Sequence, residues 1–184
     1  FAALTPDDAV ICVCDLGIDR VVCYDPSCPG GKMRQLEGAG YLGKPAAGPR
    51  HLAFHPNGKL VFLLNELDST VVLLRNEGNG AFAEIGSYPM LPSAFSGESK
   101  AAAIKVSPDG RWVLASNRGH DSIAAFLVDD AGGGLERKAI NMLAGKFPRD
   151  FEFSPDGRFV VVGHKLSNEI AVYAFDSATG TMAH

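Results

Sequence analysis

Residues 48–66 read GPRHLAFHPNGKLVFLLNE, and the turn at the centre of this stretch decides the fold. Pro56-Asn57-Gly58 is a hairpin signal, because these residues adopt the backbone angles of a tight turn at little cost. The runs on either side, HLAF and LVFLL, are rich in residues that pack well on a pleated surface, so both read as strands. Between Arg50 and Glu66, which stand at its two ends, the hairpin is mostly apolar.

The same grammar recurs along the chain. FAALTPDDAVICVCDLGIDRVVCYD, RHLAFHPNGKLVFLLNELDSTVVLLRN, AAAIKVSPDGRWVLASNRGHDSIAAFLVD and RDFEFSPDGRFVVVGHKLSNEIAVYAFD align on the prolines Pro6, Pro56, Pro108 and Pro155. The repeat is therefore 50, 52 and 47 residues long. In each copy the second run ends nine residues after the proline, at Asp15, Asn65, Asn117 and His164. A polar loop leads to a third run, at 21–24, 71–74, 123–126 and 170–173, and a looser fourth run follows, as at 81–88 and 135–142.

Four antiparallel strands per repeat of this length is the blade of a β-propeller. Runs apolar on both faces, such as VFLL and FVVV, suit blades stacked against neighbours. The sequence thus predicts an all-β chain of four-stranded antiparallel blades. It forms one partial propeller over 1–184, with blade units near 1–47, 48–97, 98–146 and 147–184. Phe1 begins only five residues before Pro6 and the chain stops after the third run of its last unit, so about three and a half blades are expected, a piece of a larger ring.

Composition narrows the function. An apolar fraction of 46% with 21% charge is that of a packed domain. A net charge of −4, with no cluster of Lys and Arg, gives no reason to expect a nucleic-acid partner. No apolar run approaches the roughly 20 residues of a membrane-spanning helix, so no membrane partner is expected either. The cysteines Cys12, Cys14, Cys23 and Cys28 lack zinc-site spacing and read as free thiols, with a Cys12–Cys23 cross-strand disulfide as the alternative. Reduced thiols suit a cytoplasmic location. Nothing resembles a nucleophile elbow, an HExxH helix, a phosphate loop or a calcium loop, so neither a metal nor another cofactor is expected.

Hairpin arithmetic places the charges. With each turn centred on its Asn-Gly or Asp-Gly pair, Arg50 falls opposite Asn65, Arg118 opposite Ala101 and Arg149 opposite His164. The first strand of a blade lies nearest the propeller axis, so Arg50, Glu66, Arg118, His120, Arg149 and Lys165 are expected at one mouth of the central channel. The position ten residues after each turn proline is Leu16, Glu66, Arg118 and Lys165. That variety suits a ring presenting a different group from each blade, whereas a structural position tends to keep one residue type. Each residue also has a plainer reading. Arg50 and Glu66 could form a rim ion pair, His120 could be a hydrogen-bonded loop residue, and Asn117 could organise the turn after its strand.

GPRHLAFHPNGK, AAAIKVSPDGRWVLASNRGHDSIA and GKFPRDFEFSPDGR together resemble the lactonase family of seven-bladed propellers, over essentially the whole chain and about half of a family member. That family includes propeller-type 6-phosphogluconolactonases and the fungal 3-carboxymuconate cyclase. The resemblance implies a seven-bladed ring acting on a lactone without a metal. Residue by residue, it implies catalytic roles for Arg50, Glu66 and Arg118; apart from the resemblance, Asn117, His120 and Arg149 are the substrate-binding candidates. The histidine of the muconate-cyclising members falls at or just before Phe1, where nothing in this chain matches it.

The expected activity is hydrolysis of 6-phospho-D-glucono-1,5-lactone, a phosphorylated sugar lactone, in the pentose phosphate route. Glu66 would act as general base or as the group orienting Arg50 and the sugar hydroxyls. The arginines would hold an anionic group and the developing oxyanion. The alternatives are a carboxymuconate cycloisomerase and a non-enzymatic propeller that binds partners at its rim. The remaining blades of the ring are the expected structural partners.

Overall fold

The computed structural model describes residues 1–129 and 133–184. Its regular structure is almost entirely antiparallel sheet. The first sheet contains β1 (Ala2–Leu4), β2 (Ile11–Asp15), β3 (Arg20–Asp25), β4 (Arg34–Gln35) and β5 (Tyr41–Leu42), with β4 and β5 both paired to β3. The second contains β6 (Pro49–Phe54), β7 (Leu60–Asn65), β8 (Thr70–Gly78) and β9 (Ala81–Pro89) in that order. The third contains β10 (Lys100–Val106), β11 (Trp112–Arg118), β12 (Ser122–Val128) and β13 (Leu135–Met142). The fourth contains β14 (Pro148–Phe153), β15 (Phe159–His164), β16 (Glu169–Asp176) and β17 (Thr181–Ala183). Each sheet is a meander, the order of a propeller blade.

The turns form for a local reason. In the third and fourth sheets a serine hydroxyl bonds the aspartate two residues on, Ser107 to Asp109 at 2.5 Å and Ser154 to Asp156 at 2.6 Å. The same oxygen accepts the amide that opens the next strand, Trp112 at 2.9 Å and Phe159 at 2.9 Å. These side-chain bonds reinforce the backbone bonds of the turn, from Ser107 N to the Trp112 carbonyl at 2.8 Å and from Ser154 N to the Phe159 carbonyl at 2.8 Å.

Alternation along the strands explains the stacking. Val61 and Leu63 pack toward Cys12, Cys14, Val21 and Cys23 of the first sheet, while Phe62 and Leu64 face Val113 and Ala115 of the third. Trp112 and Leu114 then point the other way, toward Val160, Val162 and Phe175. A strand buried on both faces must be apolar at every position, as β7 is throughout its first five residues. The far face of the fourth sheet carries exposed Phe159, Val161, Ile170 and Val172.

The register departs from the sequence arithmetic at one recurrent place. Pro49 pairs with Asn65 and His51 with Leu64, so Arg50 is an extra residue in β6. Pro148 pairs with His164 and Asp150 with Gly163, so Arg149 is the extra residue in β14. The third sheet is bulged between Ala101 and Ile104, and Arg118 pairs with Lys100 rather than Ala101. Simple hairpin counting assumes an unbroken ladder, and a β-bulge near the start of β6, β10 and β14 breaks it. A bulge also turns its side chain out of the regular alternation.

Candidate functional site

The bulges aim the arginines. Arg50 leaves the sheet at its unpaired position, and its Nε lies 2.9 Å from Oε2 of Glu66. Arg118, the last residue of β11, brings Nη2 to 3.0 Å from Oε1 of the same carboxylate. Two blades thus clamp one glutamate between two guanidinium groups. The side chains are largely enclosed, 17% exposed for Arg50, 16% for Glu66 and 8% for Arg118.

Backbone carbonyls fix both arginines. Arg118 donates from Nε to the Lys100 carbonyl at 3.1 Å and from Nη2 to that of Ala101 at 2.7 Å. Arg50 Nη1 donates to the Ala102 carbonyl and to Nε2 of His51, the latter at 2.6 Å. A guanidinium only donates, so His51 Nε2 is the acceptor and the ring proton sits on Nδ1. Burial, and then the Arg50 charge, hold the His51 pKa down to about 4, so the ring is neutral near pH 7. Arg50 itself is lowered, first by burial and next by the Arg118 charge, with Arg149 acting in the same direction and Glu66 opposing. An arginine remains charged regardless. The direction reports crowded positive charge at this point of the channel.

A cavity of about 890 Å³ opens beside the clamp, lined by Arg50, His51, Arg149, Asp150, His164 and Lys165 among others. Arg149 is exposed on its bulge. It therefore presents its charge to the cavity without joining the clamp. Phe147 lies beneath both Arg118 and Lys165, its ring centre 5.4 Å from Arg118 Cζ and 5.7 Å from Lys165 Nζ.

Two candidates from the sequence lie elsewhere. Asn117 is completely buried behind Arg118, and its Nδ2 donates to Ser122 Oγ at 3.3 Å. It belongs to the wall and the following turn rather than to the surface of the mouth. His120 sits on that turn, with Nδ1 2.7 Å from Ser122 Oγ and its ring edge-on to Phe95 at 4.6 Å. Burial lowers its pKa, with Asp121 opposing. Its described contacts are with Ser122 and Phe95 and not with the arginine–glutamate clamp.

Sequence reading missed His51 and Phe147. His51 follows the bulged arginine, and its reach to Arg50 depends on the irregular register. Phe147 holds its place through a left-handed backbone, φ +64°, which nothing in its residue type announces. Among the described residues no group of three or more His, Cys, Asp or Glu could hold a metal ion.

Known proteins resemble this chain along its whole length. A family model described as "Lactonase, 7-bladed beta-propeller" matches residues 1–184. The periplasmic gluconolactonase of Pseudomonas aeruginosa superposes with a TM-score of 0.94 at 33% identity, covering 100% of this chain and 51% of that one. A Bacteroides fragilis protein described as a candidate 6-phosphogluconolactonase gives a TM-score of 0.88 at 30% identity, covering 100% of this chain and 52% of its own. An uncharacterized protein of Lactococcus lactis is 42% identical over 154 residues, 83% of this chain and 44% of the relative. The chain spans about half the length of the relatives it matches.

Proposed function

The chain belongs to the lactonase family of seven-bladed β-propellers, and on that premise we propose that the ring it helps to build hydrolyses a sugar δ-lactone, 6-phospho-D-glucono-1,5-lactone. The observation that carries this reading is the single carboxylate held between two guanidinium groups, Glu66 between Arg50 and Arg118. The P. aeruginosa and B. fragilis relatives, by their descriptions, support lactone chemistry, and the cations Arg149 and Lys165 beside the clamp favour the phosphorylated substrate.

Ring opening needs water delivered to C1 and stabilisation of the oxyanion that forms there. The guanidinium groups supply fixed positive charge and N–H donors for that oxygen, at no reorganisation cost because carbonyls and Glu66 already hold them. A carboxylate oxygen has two lone pairs, so Glu66 can keep both arginine contacts and still accept a hydrogen bond from the attacking water. The water oxygen bonds to C1 and its proton passes to Glu66. As the oxyanion re-forms the carbonyl the C1–O5 bond breaks, and O5 takes the proton back from Glu66 and leaves as the 5-hydroxyl. His51, neutral and spent on Arg50, orients that arginine and has no free lone pair on Nε2 to act as base.

Free thiols at Cys12, Cys14, Cys23 and Cys28 support a reducing, cytoplasmic setting, whereas the P. aeruginosa relative is periplasmic by name. No helix of the described residues is long and apolar enough to cross a membrane. The test is acid release from the phosphorylated lactone by the full-length protein, measured above the spontaneous rate. Release no faster than the spontaneous reaction, in a folded protein, would reject the reading.

A further inference from the structure

Building on the lactone reading, we propose that Phe147 is a positioning residue: its ring covers the Arg118–Glu66 pair and holds Lys165 over the mouth, ready for an anionic substituent of the substrate.

The first observation is conformational. Phe147 has φ +64°, a region that bulky side chains enter only under strain. The equivalent residue of the second sheet is Gly48, with φ +69°. Each directly precedes the proline that opens the inner strand, and each carbonyl accepts the amide that follows the second strand. That bond is 2.7 Å from Glu66 N to Gly48 and 3.0 Å from Lys165 N to Phe147. Glycine therefore performs the backbone task in one blade without strain. In the other blade the chain tolerates strain in order to carry a ring, and strain of this kind concentrates at functional sites.

The second observation is what holds the strained residue and what the ring touches. Asp121 Oδ1 accepts the Phe147 amide at 2.8 Å and the Gly119 amide at 3.2 Å, tying the Phe147 backbone to the turn after Arg118. The ring meets one locked cation and one free one. Arg118 is already fixed by two carbonyls and Glu66, so there the ring adds cover to a guanidinium that is held without it. Lys165 is exposed, and its only described side-chain contact is this ring. An ammonium resting on an aromatic face keeps its donors available to a ligand. Arg50 and Arg149 line the same cavity, and so do Asp150 and Glu169, so Lys165 adds positive charge where the lining is mixed.

The test uses the full-length protein with Phe147→Gly, Phe147→Tyr and Lys165→Gln, assayed on phosphorylated and unphosphorylated glucono-1,5-lactone. Phe147→Gly should melt no lower than wild type, because glycine suits the left-handed backbone. It should raise KM for the phosphorylated lactone by about tenfold more than for the unphosphorylated one. Lys165→Gln should reproduce that selective rise, and Phe147→Tyr should restore wild-type selectivity. Equal KM changes on both lactones, or a Phe147→Gly variant indistinguishable from wild type, would overturn the proposal. Calorimetric titration with 6-phosphogluconate and with gluconate needs no turnover. A selective loss of 6-phosphogluconate affinity in Phe147→Gly supports the inference, and unchanged affinity for both overturns it. Absence of lactone opening by wild type would reject the hydrolase reading alone, leaving the titration to decide the role of Phe147.

Discussion

Arg50 and Glu66 meet at 2.9 Å because Arg50 is the residue that β6 does not pair, inserted between the Pro49–Asn65 and His51–Leu64 pairs. The bulge turns an inner-strand side chain toward the end of β7, where Glu66 waits. Arg118 reaches the same carboxylate from the neighbouring blade. The clamp therefore spans two sheets, and its geometry depends on how they stack.

Removing the charge from Glu66 should affect both stability and activity. Glu66→Gln leaves two mostly enclosed guanidinium groups without their counter-ion, a loss of roughly 1–3 kcal/mol after allowing for partial exposure. Chemical denaturation should show that loss, and kcat should fall by about a hundredfold or more. A variant as stable and active as wild type would remove Glu66 from the account.

Arg50→Lys should behave as a severe substitution. One ammonium cannot reproduce the fork that engages Glu66, His51 and the Ala102 carbonyl together. A decrease in kcat/KM of about tenfold to a hundredfold is expected, and steady-state kinetics would measure it.

Acid should weaken the fold through His51. Its folded pKa, about 4, lies below the ordinary value of 6.5, so between these limits the unfolded chain binds the extra proton. Stability is then complete above pH 6.5 and falls as pH drops toward 4. His120 and His164 are also lowered by burial and act in the same direction. His51→Gln should flatten part of the slope in denaturation curves taken from pH 7 to 4. An unchanged slope would mean His51 is not buried as described.

The thiols should divide into two classes. Cys12, Cys14 and Cys23 are buried, so a reagent in solution does not reach them, and burial also pushes the Cys14 pKa up to about 12. Cys28 is the more accessible thiol. A thiol reagent should label Cys28 first, and the others only on unfolding. Rapid labelling of Cys12 or Cys23 in the native protein would contradict the packing between the first and second sheets.

Gly180→Ala should loosen the joint between the third and fourth sheets. A Cβ there would run into the Trp112 ring, at a φ of +77° that disfavours alanine. A loss of about 1–3 kcal/mol is expected, with a red shift of emission from Trp112, the single tryptophan.

Much of this was legible in the sequence. The repeat could be read because each turn carries its own chemistry, and because the runs VFLL of β7 and FVVV of β15 are apolar on both faces. The mouth was legible as a set of charges, and Arg50, Glu66 and Arg118 do come together. What escaped depends on backbone irregularity. The bulges shift pairing by one residue at Arg50 and Arg149, and no residue type marks them. His51 and Phe147 enter the site through a bulge and a left-handed backbone respectively. His120 was expected at the mouth, and its described contacts are Ser122 and Phe95 rather than the Arg50–Glu66–Arg118 clamp.

The most direct measurement is the rate of 6-phosphogluconate release by the full-length protein, with Glu66→Gln and Arg118→Ala beside it. Wild type should exceed the spontaneous opening of 6-phospho-D-glucono-1,5-lactone, and both variants should return to that background while remaining folded. Variants that retain the wild-type rate would place the chemistry elsewhere on the ring. A folded wild type no faster than background would remove this lactone from the account.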